Sequence, residues 1–112
     1  MIPPRLRTDL WVQVQVRRCD LDLIPVAIVH RGDEQSGAVI LKHNRLADGC
    51  RVYARTVDGE GMPAWLSVLG SAPVAEAEAD AYLRRAIQRD PDAWVVEIED
   101  KDGRYELDAK VV

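Results

Sequence analysis

Turn signals between residues 24 and 69 constrain the fold of this chain more than any other feature of its sequence. Polar segments that contain glycine divide the stretch into four short apolar runs, at 24–31, 38–44, 50–57 and 63–69. Short runs rich in valine and isoleucine and bounded by glycine are typical of β-strands. Asp48-Gly49 is the strongest hairpin dipeptide in the chain. The sequence therefore predicts a four-strand meander, in which the first two runs pair as a hairpin around 32–37.

A helix is predicted before the meander, over residues 10–22, with Thr8 or Asp9 as its N-cap. Apolar residues recur at helical spacing from Val12 onward, and no turn signal interrupts them. Residues 12–16, VQVQV, instead alternate as a strand would, and valine favours strands. The helix is the preferred interpretation, and a strand is the alternative.

A second helix is predicted over residues 74–89, ending before the Asp-Pro pair at 90–91, because a residue before proline avoids the helical region. Acidic residues fill its first half and arginines its last, which matches the helix dipole. A terminal hairpin is predicted next, with strands at 93–99 and 104–107 around a turn at 101–103.

These elements predict an α+β fold in which two helices pack on a mainly antiparallel sheet of five to six strands. Their order is helix, four-strand meander, helix, terminal hairpin. The order leaves open whether the helices cover one face of the sheet or both. With 112 residues, 47% of them hydrophobic and 30% charged, the chain is predicted to form a single domain over 1–112. Residues 1–7, which include two prolines, are predicted to be an extended arm.

Charge and cysteine usage exclude several classes of protein. Fifteen Lys and Arg against nineteen Asp and Glu give a net charge of −4, opposite in sign to a general nucleic-acid binder. The short basic cluster near the start, Arg5 and Arg7, is interpreted as part of a solvated arm. The two cysteines have no metal-binding spacing, and no signal peptide or run of membrane-spanning length is seen. We therefore expect a cytoplasmic protein with no membrane partner, and a nucleic-acid partner is disfavoured.

Two long segments, VHRGDEQSGAVILK at 29–42 and AEADAYLRRAIQRDPDAWVVEIED at 77–100, resemble a small alphaproteobacterial family known as domain of unknown function 1491. The most recognisable pieces are RGD followed by Gly37, and Asp-Pro followed by WVVEIED at 94–100. The resemblance covers nearly the whole chain and implies an intracellular bacterial protein of α and β composition. It supplies no activity, substrate or catalytic residue.

The loop at 31–37 is a candidate ligand or anion site, because glycines free backbone N–H groups and Arg31 and Ser36 add donors. Its predicted ligand-binding residues are His30, Arg31, Asp33, Ser36 and Lys42, with His43 as a further alternative. No phosphate-binding motif is present, and Asp33 and Glu34 would repel a phosphate. The opposing interpretation is an ordinary turn in which Asp33 caps local amides.

No metal site, cofactor or catalytic residue is predicted, so an enzyme is disfavoured without being excluded. In the predicted hairpin His30 and His43 share a face but lie about 13 Å apart, too far for one metal ion. Glu97 and Glu99 lie about 7 Å apart on one strand face, a separation that paired carboxylates can use. They are better explained as solvent-facing residues that pair with cross-strand cations such as Arg104.

The chain contains three tryptophans, three tyrosines and no phenylalanine. Trp65, near a glycine-rich turn, is predicted to be the most exposed tryptophan, and with Tyr53 it could form a partner-binding patch on an open face of the meander. The sequence thus favours a non-catalytic module that binds another protein or a second copy of itself. The alternative is a small-ligand or anion-binding protein, or an enzyme, that uses the 31–37 loop.

Overall fold

The computed structural model describes residues 7–112, which form two helices and a six-stranded mixed sheet. The elements in chain order are α1 (Thr8–Leu21), β1 (Val26–His30), β2 (Val39–Asn44), β3 (Cys50–Val57), β4 (Pro63–Ser67), α2 (Glu76–Arg89), β5 (Trp94–Glu99) and β6 (Lys110–Val111). The α+β class is therefore confirmed. The predicted arm at 1–7, including Arg5, lies outside the described residues except for Arg7.

The strands run in the order β1-β5-β2-β3-β4-β6 across the sheet. The β1/β5, β2/β3 and β3/β4 pairs are antiparallel, whereas the β2/β5 and β4/β6 pairs are parallel. The sheet is thus mainly antiparallel, and the meander is present for β2, β3 and β4.

The predicted hairpin between the first two strands is wrong, because β5 lies between β1 and β2. The reason is visible in β5 itself. Trp94, Val95, Val96 and Ile98 are all buried, so this strand is apolar on both faces and belongs in the middle of a sheet. The 32–37 segment consequently passes over the end of β5 instead of turning back beside β1.

The predicted terminal hairpin is also wrong, because both edges of β5 are already occupied by β1 and β2. Residues 104–107 are not a strand. The buried Asp100 accepts the backbone N–H groups of Arg104 and Tyr105 at 2.8 and 2.9 Å, which folds the chain away from β5. The last strand, β6, then pairs in parallel with β4 at the far edge of the sheet.

The first element is a helix, as preferred, and it begins at Thr8. Neither Thr8 nor Asp9 is its N-cap, which is Arg7 with no side-chain capping bond. The backbone N–H groups of Thr8 and Asp9 instead donate to the carbonyl oxygens of Gln35 and Glu34. A tertiary contact thus satisfies donors that a side chain was expected to cap.

The two helices cover opposite faces of the sheet. On the α1 face, the buried core includes Trp11, Val12, Val39, Leu41, Trp65, Trp94, Val96 and Ile98. On the α2 face, it includes Ile40, Cys50, Val52, Ala79, Leu83, Ala86 and Val95. Alternate residues of β2 and β5 point to the two faces, as the period of a strand requires.

Candidate functional site

The loop at 31–37 is held together by its own polar groups. Asp33 Oδ2 accepts the backbone N–H groups of Gln35 and Ser36 at 3.1 and 2.9 Å, and the Ser36 hydroxyl at 3.2 Å. The backbone bond from Ser36 is the main cause that lowers the pKa of Asp33. The amides that would cradle an anion are therefore already donating to a carboxylate of the loop, as in the turn interpretation.

The glycines of this loop are required by a close backbone contact. A Cβ added to Gly32 would lie 2.0 Å from the carbonyl oxygen of Asp92, and one added to Gly37 would lie 2.5 Å from it. That oxygen also accepts the Asp33 N–H at 2.9 Å, and the Trp94 indole donates to Asp33 O at 2.7 Å. Glycine serves here to pack the loop against the start of β5.

The remaining predicted ligand-binding residues are divided between different surfaces. His30 Nδ1 donates to the carbonyl oxygen of Ala93 at 2.8 Å, and the Arg31 guanidinium lies 5.2 Å from the centre of the Trp94 ring. These residues stay near the loop. Lys42 and His43 are consecutive in β2, so they lie on opposite faces of the sheet and away from each other's partners.

Lys42 is the least expected residue of the α2 face. It is 2% exposed in the middle of the sheet, and its ammonium contacts three carboxylates. Nζ lies 2.7 Å from Glu76 and from Asp80, both in α2, and 3.2 Å from Glu97 in β5. The Asn44 amide donates to Glu76 at 3.0 Å and to Glu97 at 3.3 Å, which joins the same cluster. We call Lys42, Asn44, Glu76, Asp80 and Glu97 the lysine cluster.

The lysine cluster keeps its ammonium charged. Burial by itself would lower the pKa of Lys42, but hydrogen bonds with Asp80, Glu76 and Glu97 outweigh burial and raise the pKa above its ordinary value. A permanently protonated lysine cannot act as a base or nucleophile at neutral pH. The signal in the sequence that could have indicated this cluster is the lysine that directly follows the apolar residues VIL in β2.

The expectation that Glu97 and Glu99 share a solvent-facing role is wrong for Glu97. Its carboxylate is partly buried against Lys42, whereas Glu99 is exposed. The α2 helix covers the middle of this face but not its end, so the two carboxylates have different surroundings.

A second polar cluster lies at the end of β2 on the α1 face. His43 Nε2 lies 2.8 Å from Oδ2 of the buried Asp100, which also accepts two backbone amides. Burial would raise the pKa of Asp100, but the hydrogen bonds from His43 and from the amides of Tyr105 and Arg104 lower it. The Tyr105 hydroxyl donates to Gln15 of α1 at 2.9 Å. These bonds fix the chain after β5 against the helix.

The expectation that Trp65 and Tyr53 form an open aromatic patch is wrong. Trp65 is 0% exposed, and Tyr53 is buried as well. The Trp65 ring packs 5.6 Å from that of Trp11, and both indoles donate to Asp108, at 2.9 and 2.7 Å. The physical reason is that α1 covers this face of the meander, which the sequence order left open.

Within residues 7–112, no group of three or more His, Cys, Asp or Glu side chains could hold a metal ion. His30 and His43 lie on β1 and β2, with β5 between them. Cys19 and Cys50 are free and buried on opposite faces of the sheet, and burial raises the pKa of both thiols. Neither described helix is long and apolar enough to cross a membrane.

The two edges of the sheet differ. At one edge, β1 has five residues, VAIVH, and pairs only with β5. Ile28 is 37% exposed and Val29 is 52% exposed. At the other edge, β6 has two residues, and its Lys110 forms an ion pair with Asp58 at 2.9 Å. A short strand that carries lysine is protected from pairing with another chain, whereas an apolar edge is not.

Comparison with known proteins identifies the family of this chain. Residues 6–108 match the family described as "Protein of unknown function (DUF1491)". The chain belongs to the DUF1491 family. A crystal structure of a DUF1491 family protein from Caulobacter crescentus matches with a TM-score of 0.86 and 38% identity, covering 96% of this chain and 100% of that one. The resemblance seen in the sequence is therefore confirmed.

Two structures in solution extend the comparison. An NMR structure of a DUF1491 family protein from the same organism has a TM-score of 0.82 and 37% identity, covering 98% of this chain and 99% of that one. Protein Atu0922 from A. tumefaciens has a TM-score of 0.72 at 23% identity, covering 93% of this chain and 90% of that one, and shows the fold alone. No curated protein matches this chain. The DUF1491 relatives thus establish the fold and bring no activity with it.

Proposed function

We propose that this protein is a non-catalytic interaction module that pairs with a second copy of itself through the free edge of β1. The observation that carries the proposal is the exposed apolar edge of β1 in a sheet whose opposite edge is short and carries lysine. An unpaired edge is a template for another strand.

The backbone of β1 has hydrogen-bonding groups available for such pairing. Glu99 donates its N–H to the carbonyl oxygen of Pro25 at 2.9 Å, and Ala27 lies opposite Glu97. Because alternate residues of an antiparallel strand face the same neighbour, Pro25 and Ala27 face β5. Val26 and Ile28 therefore direct their N–H and C=O groups away from the sheet.

The side chains of β1 suit a symmetric partner. The strand contains no Lys, Arg, Asp or Glu, so two copies in antiparallel pairing bring no like charges together. Pairing centred on Ile28 places Ile28 against its own copy, at the end of the regular stretch 26–28 and just before the register shift between Ile28 and His30. Leu23, just before the strand and 84% exposed, adds apolar area beside it. Self-association would cover all of these side chains.

Sedimentation equilibrium over a range of concentrations tests the proposal. We expect the wild-type protein to form dimers and Ile28→Lys to be monomeric, since it places two ammonium groups opposite each other. Ile28→Pro removes one outward N–H and should also weaken the dimer while leaving the bonds between β1 and β5. The matched control is Leu66→Lys, at an exposed position of the interior strand β4, which should dimerise as the wild type does.

A wild-type protein that stays monomeric up to about 1 mM, where association would be worth only about 4 kcal/mol, would overturn the proposal. A dimer that Ile28→Lys and Leu66→Lys leave equally intact would place the interface elsewhere and would overturn it as well.

The second candidate, a small-ligand or anion-binding protein built on the 31–37 loop, has less support. Asp33 already occupies the amides of Gln35 and Ser36, and Lys42 and His43 are engaged by carboxylates on opposite faces of the sheet. We further propose that the protein acts in the cytoplasm, which is supported by the two free, buried cysteines on opposite faces.

A further inference from the structure

A depression of about 340 Å³ lies on the α1 face of the β3/β4 pair, away from the β1 edge. It is lined by Arg51 and Tyr53 of β3, Ser67 of β4, Ser71, and Val111 and Val112 at the far edge of the sheet. Tyr53 lies directly opposite Ser67, so their side chains share this face. The depression thus contains a cation, hydroxyl groups and an apolar wall.

The Arg51 guanidinium is positioned but not neutralised. Its Nε donates to the carbonyl oxygen of Ser71 at 3.4 Å, which holds the plane of the group against the turn after β4. No carboxylate of residues 7–112 forms an ion pair with Arg51, and its two terminal nitrogens have no acceptor among those residues. A guanidinium held in this way can present its remaining N–H groups to a planar anion.

The Tyr53 hydroxyl is a second donor at the same place. Tyr53 is buried except for a small part of its side chain, and its hydroxyl makes no hydrogen bond within residues 7–112. Every fully enclosed side-chain oxygen or nitrogen of those residues has a partner. The hydroxyl therefore opens to the depression that the ring lines, beside Arg51.

We propose that this depression, the Arg51 pocket, binds a small organic monocarboxylate. The guanidinium matches a carboxylate in shape, and the Tyr53 hydroxyl can donate to the same anion. Val111 and Val112 offer the apolar wall that a short hydrocarbon tail needs. Arg51 is the only cation among the lining residues, which favours one negative charge over the two of a phosphate.

Titration of the ¹⁵N-labelled protein with butyrate, followed by amide chemical shifts, tests the proposal. We expect saturable shifts of the Ser71, Val111 and Val112 amides in the millimolar range that is usual for so small a ligand. Butyramide has the same shape without the charge and should not saturate, and inorganic phosphate should bind more weakly than butyrate.

Arg51→Gln should weaken butyrate binding by about ten- to a hundredfold, since it removes hydrogen bonds to a charged group. Tyr53→Phe keeps the ring and should weaken binding by a smaller factor. Arg84→Gln, on the exposed side of α2, is the matched control and should bind as the wild type does.

Absence of saturation, equal binding of butyramide, tighter binding of phosphate, or unchanged affinity in Arg51→Gln would each overturn the proposal. The dispersion of the amide spectrum of each variant shows at once whether it is folded. Because the pocket and the β1 edge share no residue, the result is independent of the oligomeric state.

Discussion

The two faces of one sheet are stabilised in different ways. The α1 face buries Trp11, Trp65 and Trp94, whose indole N–H groups all have acceptors. The α2 face buries mainly aliphatic side chains and the charged Lys42. Burial of aromatic area is strongly favourable, whereas a buried ion cluster gains little beyond the cost of removing its charges from water. We therefore expect α1 to contribute more to the free energy of unfolding and α2 more to the specific arrangement of the fold.

The largest effect is expected for Trp65→Ala on the α1 face. The substitution leaves a cavity beside Trp11 and removes one donor from Asp108, so the free energy of unfolding should fall by about 3–5 kcal/mol. Urea denaturation measures this loss. The neighbouring exposed Leu66→Ala should change stability by less than about 0.5 kcal/mol. A loss for Trp65→Ala as small as that of Leu66→Ala would contradict the assignment of the main core to this face.

The next largest loss in the free energy of unfolding is expected for Lys42→Met on the α2 face. It leaves three carboxylates together without their cation, and we expect a loss of about 2–3 kcal/mol, less than for a fully enclosed pair because Glu76 and Asp80 are partly solvated. Adding Glu97→Gln should recover part of the loss in the same urea experiment. The exposed Lys101→Met is the control. If the double variant is no more stable than Lys42→Met, repulsion among the carboxylates is not the cause.

A third, smaller effect is expected for Asp100→Asn, at the polar end of the α1 face. At neutral pH the loss should be about 1.5–2 kcal/mol, because Asp100 accepts bonds from His43 and two amides. The pKa of Asp100 is lowered by folding. The stability that Asp100 contributes is therefore fully present above the ordinary Asp pKa of about 3.9. It is lost as the pH falls through the lower pKa that Asp100 has in the folded protein.

Unfolding free energies measured from pH 7 down into the acid range test the sign of this effect. The wild type should lose stability more steeply than Asp100→Asn below about pH 4. Parallel curves for the two proteins would show that Asp100 is not the group that titrates.

The smallest effect is expected for Arg31→Ala, at the rim of the α1 face. The exposed guanidinium lies 5.2 Å from the centre of the buried Trp94 ring, and a contact of this kind is worth about 0.5–1 kcal/mol when the cation is solvated. In thermal unfolding, the midpoint temperature of Arg31→Lys should lie between those of Arg31→Ala and the wild type. A variant as stable as the wild type would mean that Trp94 is held by its hydrogen bond to Asp33 and not by the cation.

Much of the local structure could be predicted from short-range signals. The turn at Asp48-Gly49 connects β2 and β3 as a hairpin does, and the Asp-Pro pair at 90–91 follows the end of α2. Those signals act through φ and ψ preferences of a few neighbouring residues. The candidate sites could not be predicted in the same way. Trp65 was expected on the surface because nothing in the sequence says that α1 covers its face, and Lys42 gained its role only when Glu76, Asp80 and Glu97 were brought to it.

The sequence by itself determined where the two helices and the strands β1 to β5 form, because helical spacing, strand alternation and turn residues act within a few positions of each other. Only the tertiary structure decided that β5 enters between β1 and β2, that the helices take opposite faces, and that β1 is left as an exposed edge. Those outcomes depend on which apolar strand can be covered on both faces, and that is settled by residues far apart in the chain. The same nonlocal choice created the lysine cluster and the β1 edge.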